Sequence, residues 1–499
     1  MEDIINTYFD RGVYDKVITD DHIKSIKLYN FDISISHNKF NKLDNIQKKS
    51  LFPYLKKTDE YEKISVELLI DINSYKDKYL LNYDDMKYYD NKLEILLSND
   101  NITNKYKIDP YNFTRFGNIS NLNNISNVIS ISQEPLYNND YIKNHKTIEK
   151  IGIYILPKAS SPGFKNFRSI IKYLKNLFNI YLFLDNTESE LDNNDKMFID
   201  GVTEVHYISK SSNIELSKLI HEKKLTILIS IYGFYRRKDV ILSKPCPLII
   251  SYQEPPVIYP KTCYDYNLID NNLYDILKQY TKIDENMFNF IKIDGFILPI
   301  PYYSDYSIIK TPVYDPNCIR IGLITYSPKM SHELVKLVNG IIKINKKIFI
   351  TIYGYINNDW FKIIFPSEQI KLDRYDNTNP IKLQENILFI DCITYNNHST
   401  ALEILKLKIP FIGYSCKNRY HGLFSKSLIK SIKMEKYLLA DNIVDYIKLI
   451  KLYTFNEELY FKLYKKYIKK LDESNILSDE YYANNLSKTL NSFYDNYKI

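Results

Sequence analysis

The sequence predicts an α/β protein in which two doubly wound parallel-sheet units face each other across a cleft, preceded by an α-rich N-terminal domain. Three observations carry this reading. From residue 148 onward, short apolar strands alternate with helix-period segments, the pattern of parallel strands buried on both faces. The alternation breaks over 300–318, where Pro301, Pro312 and Pro316 fall in a stretch of little apolar periodicity, and then restarts. A chain of 499 residues also exceeds what one hydrophobic core organises.

Residues 1–147 read differently from the rest. Segments 60–81 and 84–98 have helical apolar spacing with many charges, whereas 100–145 is Asn-rich and weakly patterned. The first α/β unit occupies 148–305. Its strands are expected at 150–156, 180–184, 205–208, 225–231, 247–252, 266–270 and 294–299, with helices at 164–178 and 213–224 and a short helical piece after 231. Residues 306–318 form the linker. The second unit spans 319–499, with strands at 319–325, 347–353, 370–373, 387–393 and 410–414. Helices are expected at 331–345, 380–386 and 399–408, and the chain closes in helices near 422–432, 442–453, 456–470 and 479–495.

Composition narrows the function classes. A net charge of +7 with Lys and Asp/Glu interspersed leaves no basic run dense enough for nucleic-acid binding. The 47 Tyr and 12 Gly point to an AT-rich coding sequence rather than to an activity. Five scattered cysteines form no CxxC pair and no zinc spacing. Their odd number, with no basic and then apolar leader after Met1, is expected of a reducing, cytoplasmic compartment. No run approaches the roughly 18 apolar residues of a membrane span. Gly is too sparse for a Walker-type loop, and no Asp-x-Asp motif follows a strand, which disfavours an NTPase and a metal-chelating transferase.

The segment 390–403 is the most informative. A buried strand runs into the polar loop Asn396-Asn397 and then into His398-Ser399-Thr400, where a helix begins. The first helical turn leaves N–H groups unpaired at the positive end of the dipole and is suited to an anion. A diphosphate held by Asn397, His398, Ser399 and Thr400, with a ribose held by Glu403, fits that layout; the plain alternative is a Ser/Thr-capped helix. Lys329 lies at the end of strand 319–325, just before the helix at 331, where its ammonium can reach a phosphate oxygen.

At these residues the chain resembles the protein O-GlcNAc transferases and the bacterial N-glucosyltransferases, inverting glycosyltransferases of family 41 type with the GT-B arrangement of two Rossmann-like domains. The family's phosphate-binding His-Thr-Thr falls on His398-Ser399-Thr400, its ribose-binding acid on Glu403, and its phosphate-binding lysine on Lys329. Weaker likenesses, in the same order along roughly 150–470, lie at 151–154, at Gly233-Phe234-Tyr235, at 244–248, at Asp265-Tyr266 and at 422–424. The resemblance implies a UDP-sugar donor, no metal or other cofactor, and a hexosyl- or N-acetylhexosaminyltransferase acting on a polypeptide side chain or a glycan. The first Rossmann-like domain would be the acceptor side, with Ser161, Pro162, Gly233 and Phe234 facing the sugar. The N-terminal domain would bind acceptor or partner in place of the helical repeats of the eukaryotic members. Two family histidines are replaced, by Ser161 and by Thr226, so Glu254 becomes the candidate base for the acceptor proton. The same losses leave two alternatives open: a sugar-nucleotide-binding scaffold without activity, or a GT-B transferase acting on a lipid or small molecule.

Overall fold

The computed structural model describes residues 69, 72–77, 81–97, 119, 136–144, 147–156, 162–252, 257–299, 309–376 and 380–497. Among these, thirteen strands form two sheets. The first contains β1 (Lys150–Ile155), β2 (Asn179–Leu184), β3 (Glu204–Tyr207), β4 (Ile227–Ile231), β5 (Leu248–Ser251), β6 (Tyr266–Asp270) and β7 (Phe290–Ile293), in the order β3-β2-β1-β4-β5-β6-β7. The second contains β8 (Ile319–Ile324), β9 (Ile348–Tyr353), β10 (Ile370–Asp373), β11 (Leu388–Ile390), β12 (Phe411–Tyr414) and β13 (Leu439–Ala440), in the order β10-β9-β8-β11-β12-β13. Every pairing is parallel. The strands are runs of Ile, Leu and Phe because both faces are covered: all five residues of β4 and all three of β11 are buried.

The helices are α1 (Tyr83–Leu97), α2 (Pro162–Leu174), α3 (Asn193–Ile199), α4 (Asn213–Glu222), α5 (Gly233–Leu242), α6 (Asn271–Tyr280), α7 (His332–Ile344), α8 (Asn358–Ile364), α9 (Ser399–Lys406), α10 (Phe424–Ser431), α11 (Glu435–Leu438), α12 (Ile443–Thr454), α13 (Glu457–Glu473) and α14 (Asp479–Tyr497). Local chemistry explains their starts. Asp192, Ser212, Asp270, Ser331, Asn357, Asn442 and Asn456 each cap the helix that follows by accepting a backbone N–H.

Both sheets reverse strand order beside their first strand, between β1 and β4 and between β8 and β11. In doubly wound sheets that switch point is where the loops part and a ligand enters. In the second unit the loops leaving it are 325–331 and 391–398, the two that carry Lys329 and His398. In the first unit β4 leads through Tyr232 into α5, which opens on Gly233 and Phe234, and the loop after β1 holds residues 157–161, outside the described set.

Several expectations shift in the structure. The last strand of the first unit is Phe290–Ile293 rather than 294–299, because Gly295 (φ +91°) turns the chain. Helices α3, α6 and α8 stand where no helix was expected; each opens on a short Asn- or Asp-rich stretch that hides the apolar period behind it. Residues Pro380–Glu385 form a 3₁₀ turn rather than an α-helix, and the two-residue β13 adds a strand to the second sheet. The expected helix over 60–81 and the loops over 100–145 fall largely outside the described residues.

The tyrosines have structural work. Tyr446, Tyr460 and Tyr467 are fully buried on α12 and α13. Their hydroxyls donate to the carbonyls of Asp391 (2.9 Å), Ile387 (3.0 Å) and Ile409 (3.0 Å), tying helices to the ends of β11 and β12. Helix α14 follows the second unit in sequence but packs on α2 and β7 of the first. The Tyr482 hydroxyl donates to the Ile297 carbonyl at 2.6 Å and pairs with the Tyr252 hydroxyl at 3.2 Å. The two units also meet through α6 and α10, where Ser427 Oγ donates to Asp270 at 2.5 Å and Lys426 Nζ reaches the Tyr280 hydroxyl at 2.8 Å.

Candidate functional site

Five of the residues singled out in the sequence, Lys329, Asn397, His398, Ser399 and Thr400, meet at the switch point of the second sheet. After β8 the chain makes a 3₁₀ turn, Ser327–Lys329, with Pro328 inside it. This turn buries Lys329, which is 6% exposed. Its Nζ donates to the Asn396 carbonyl at 3.1 Å and to Asn397 Oδ1 at 2.9 Å. Both acceptors are neutral amides, which orient the ammonium without cancelling its charge. The rings of Tyr395 (4.8 Å) and Tyr326 (5.4 Å) flank it. Thr400 Oγ1 donates to the same Asn397 oxygen at 3.1 Å, so the lysine turn and the first turn of α9 share one acceptor.

The loop after β11 is fixed in place before any ligand arrives. Asn396 is wholly buried and donates to the carbonyls of Cys392 and Tyr414, each at 3.0 Å, while its Oδ1 accepts the Ser425 N–H at 3.1 Å. Asn397 Nδ2 donates to the Ile324 carbonyl at 3.0 Å. Asp391 anchors the loop from below. Its Oδ1 accepts the N–H groups of Cys392 and Asn397, each at 2.8 Å, and its Oδ2 takes the Ser425 hydroxyl. Burial pushes the Asp391 carboxyl up to about 7, against these hydrogen bonds and the nearby Lys329.

The start of α9 differs from the plain capped helix. His398 occupies the N-cap with φ −105° and ψ −89°, and no side chain caps the helix. Ser399 stands at N1, so its backbone N–H and its neighbours' have no intrahelical acceptor. The His398 ring lies against Phe424 (4.3 Å) and Tyr395 (5.4 Å) with its Nε2 buried and unpartnered. Burial, then Lys329 and His421, hold this imidazole well below its usual range, so it is neutral at pH 7. An arriving anion would favour its protonated form. An uncapped helix start, a buried ammonium and an imidazole nitrogen without a partner therefore converge where the ends of β8 and β11 part.

Glu403 lies one turn along α9 and is 1% exposed. Its Oε2 accepts the hydroxyl of Tyr375, a residue just after β10 that the sequence reading did not select. Asn396 falls in the polar loop that the sequence marks after the strand, whereas Asp391 lies within the expected strand 387–393 and carries no signal of its own. Backbone packing around the site is equally tight. A Cβ on Gly354, at the end of β9, would stand 1.9 Å from the Thr325 carbonyl oxygen, at the base of the lysine turn. Gly354→Ala is expected to cost at least about 2 kcal/mol in urea unfolding, since backbone rather than a flexible side chain must move.

Tyr232, in the left-handed region at φ 63°, caps α5, and Gly233 follows where a Cβ would meet Ser230 Oγ at 2.1 Å. The Phe234 N–H donates to the Tyr264 hydroxyl at 3.0 Å. These residues sit at the carboxyl end of β4; Pro162 opens α2, its side chain outside the described residues, and Ser161 and Glu254 lie outside them altogether. Thr226 precedes β4 at the opposite, amino end of that strand and is fully buried. Arg237 ties α5 to the ends of β2 and β3 through Asp185 (3.2 Å), the Ser211 carbonyl (2.7 Å) and the Ile208 carbonyl (3.1 Å). Among the described residues, no helix is long and apolar enough to cross a membrane.

No protein-family model matches the chain, and no curated protein sequence matches it. Solved structures do. A mutant O-GlcNAc transferase of Thermobaculum terrenum superposes with a TM-score of 0.64 at 12% identity, over 95% of this chain and 96% of that one. A glycosyltransferase from Rickettsia africae gives a TM-score of 0.44 at 14% identity, over 68% of this chain and 98% of its own. The Anabaena protein Alr3699/HepE, solved in complex with UDP and glucose, gives 0.46 at 8% identity, over 69% and 100%. At 12% identity the likeness to the first is one of fold, and together with the two switch-point sheets it shows that this chain has the GT-B architecture.

Proposed function

We propose that this protein is an inverting, metal-independent glycosyltransferase that moves a sugar from a UDP-sugar to a polypeptide side chain or a glycan. The observation that supports it most is the convergence of Lys329, the Asn397 bridge, His398 and the bare start of α9 at one switch point. Such a site favours a dianionic leaving group. As the bond between the anomeric carbon and the diphosphate oxygen breaks, negative charge grows on that oxygen. Lys329 and the N–H groups of Ser399 and Thr400 would stabilise it, with the ammonium in the role a metal has elsewhere. Glu403, steadied by Tyr375, would hold the ribose hydroxyls. The acceptor would attack from the opposite face, on the side of Gly233 and Phe234, with Ser161 and Pro162 as further candidate contacts, and would give its proton to a base for which Glu254 is the candidate.

A thermal-shift titration with UDP, UDP-GlcNAc, UDP-glucose and GDP-sugars tests the donor half. A ligand at a hundred times its dissociation constant adds about 2.7 kcal/mol of stability. A UDP-selective shift is expected; no shift with any nucleotide, at any concentration soluble, would require the reading to be withdrawn. A shift without product on peptide, glycan or lipid acceptors would favour a binding scaffold instead.

A further inference from the structure

Described residues of the N-terminal region contact the second unit. Helix α1 packs on α7, and the segment before it reaches the lysine turn itself. Lys76, buried beneath the turn, donates to the Met330 carbonyl at 3.0 Å, one residue after Lys329. Its Nζ also lies 2.5 Å from Asp90 Oδ1. The Asp77 N–H donates to Ser327 Oγ at 3.2 Å, at the other end of the same turn. Asp90 Oδ2 accepts the His332 N–H at 3.2 Å and meets the His332 ring Nδ1 at 3.1 Å. Residues 327, 330 and 332 are thus each held by a segment some 250 positions earlier in the chain.

We infer that Lys76 and Asp90 form a brace that positions Lys329, so that the N-terminal segment is a working part of the donor site. The turn is three residues long, and its own hydrogen bonds are local ones, from Lys329 N to the Tyr326 carbonyl (2.8 Å) and from Met330 N to the Ser327 carbonyl (3.1 Å). Asn396 and Asn397 hold the ammonium at its tip, but local bonds alone leave so short a turn free to shift at its backbone. The brace restrains that backbone from below. Burial raises the Asp90 carboxyl, but Lys76 and His332 more than offset it and keep the group ionised. Asp90, His332 and Glu333 carry ligand-type atoms within 4.8 Å of one another. The Lys76 ammonium already supplies the cation there, which makes the cluster an ion-paired joint rather than a metal cage. Further anchors keep the segment on the second unit: Trp360 Nε1 donates to the Leu81 carbonyl at 2.7 Å, and Arg419 pairs with Glu94 at 2.9 Å.

The inference rests on the donor reading only in taking Lys329 as the phosphate contact, and two measurements separate them. The first is amide hydrogen exchange across 326–333 in the ligand-free full chain, for wild type, Lys76→Met, Lys76→Arg and the milder Ser327→Ala. The second is UDP affinity of the same proteins by calorimetry. Lys76→Met is expected to speed exchange in 327–332 and to weaken UDP binding by roughly tenfold, within the range of couplings carried through packed contacts. Lys76→Arg should restore much of both, and Ser327→Ala should show the same effects in smaller degree. If a donor assay is in place, KM for the donor should rise while KM for the acceptor stays put. Faster exchange in a protein whose wild type binds no UDP would sink the donor reading and leave the brace standing. Wild-type UDP affinity in Lys76→Met and Ser327→Ala, whatever their exchange, would overturn the brace. Unfolding of Lys76→Met alone leaves Ser327→Ala to decide.

Discussion

Lys329→Ala is expected to lower sugar transfer by about 10²–10³ while leaving the protein folded. The rate argument is electrostatic. The ammonium is buried and held by neutral amide oxygens, in a site where little water competes for its field. Charge that develops on a departing diphosphate would therefore lose its largest stabiliser. The fold argument is local. Asn397 Oδ1 keeps the Thr400 hydroxyl after the change, and the Asn396 side chain keeps its bonds to Cys392, Tyr414 and Ser425. The expected loss of stability is two hydrogen bonds, with Asn397 Oδ1 keeping a second donor, and some packing against Tyr395, about 1–3 kcal/mol. Turnover with a UDP-sugar and a melting curve on the same preparation check both halves. Undiminished turnover in a folded variant would remove Lys329 from the chemistry.

The largest expected stability effect lies at Asp391. Asp391→Ala strips acceptors from the Cys392 N–H, the Asn397 N–H and the Ser425 hydroxyl at once, all in a buried site. The expected cost is about 3–5 kcal/mol in urea unfolding, with loss of UDP binding because Asn397 is no longer fixed. Asp391→Asn keeps the shape and separates geometry from charge. The wild-type carboxyl titrates at about 7 when folded, far above the range of an exposed aspartate. A raised folded value means that its stabilisation is complete below about pH 4 and declines as pH rises to about 7, because the unfolded chain ionises first. The span is on the order of 4 kcal/mol. Asp270, buried and pushed up to about 6, acts in the same direction in both proteins. The difference between wild type and Asp391→Asn therefore isolates Asp391: their stabilities should converge as pH rises from 5 to 7.5. Parallel curves would show that the carboxyl does not titrate in that window.

Much of this was legible in the residues. The apolar strands announced themselves because parallel sheets bury both faces, and a run such as Ile387-Leu388-Phe389-Ile390 has no other use in a folded chain. Lys329 and the 396–403 loop could be paired before any coordinates, since both follow strands and both end at a helix start. What the sequence concealed was long-range. Nothing near Asp391 marks it as the loop's anchor; that role depends on Ser425, 34 residues on. Helix α6 opens on Asn271 and Asn272, poor helix formers that mask its start, although Asp270 before them is its cap. Tyr375 became relevant only when β10 brought it against Glu403. Nor could the sequence say that Lys76, in a region of weak pattern, would lie beneath Lys329.

The route of the chain through the two units has a practical consequence. Described residues up to 119 dock on the second unit, where the Ile119 N–H donates to the Asn418 carbonyl at 2.9 Å. Residues 136–141 dock on the first, where the Tyr141 hydroxyl donates to the Leu225 carbonyl at 2.9 Å, and α14 returns to the first from the far end. The backbone thus passes between the units three times. A cut in the connection around 300–308 would give two fragments, and each would contribute a piece to the other's sheet unit. Neither fragment made alone would have a complete surface: one would lack α14 over α2, the other α1 over α7. Co-expressed, they should clasp by exchanging these arms, so a split version of this protein could serve as a reporter whose activity returns only when both halves are present.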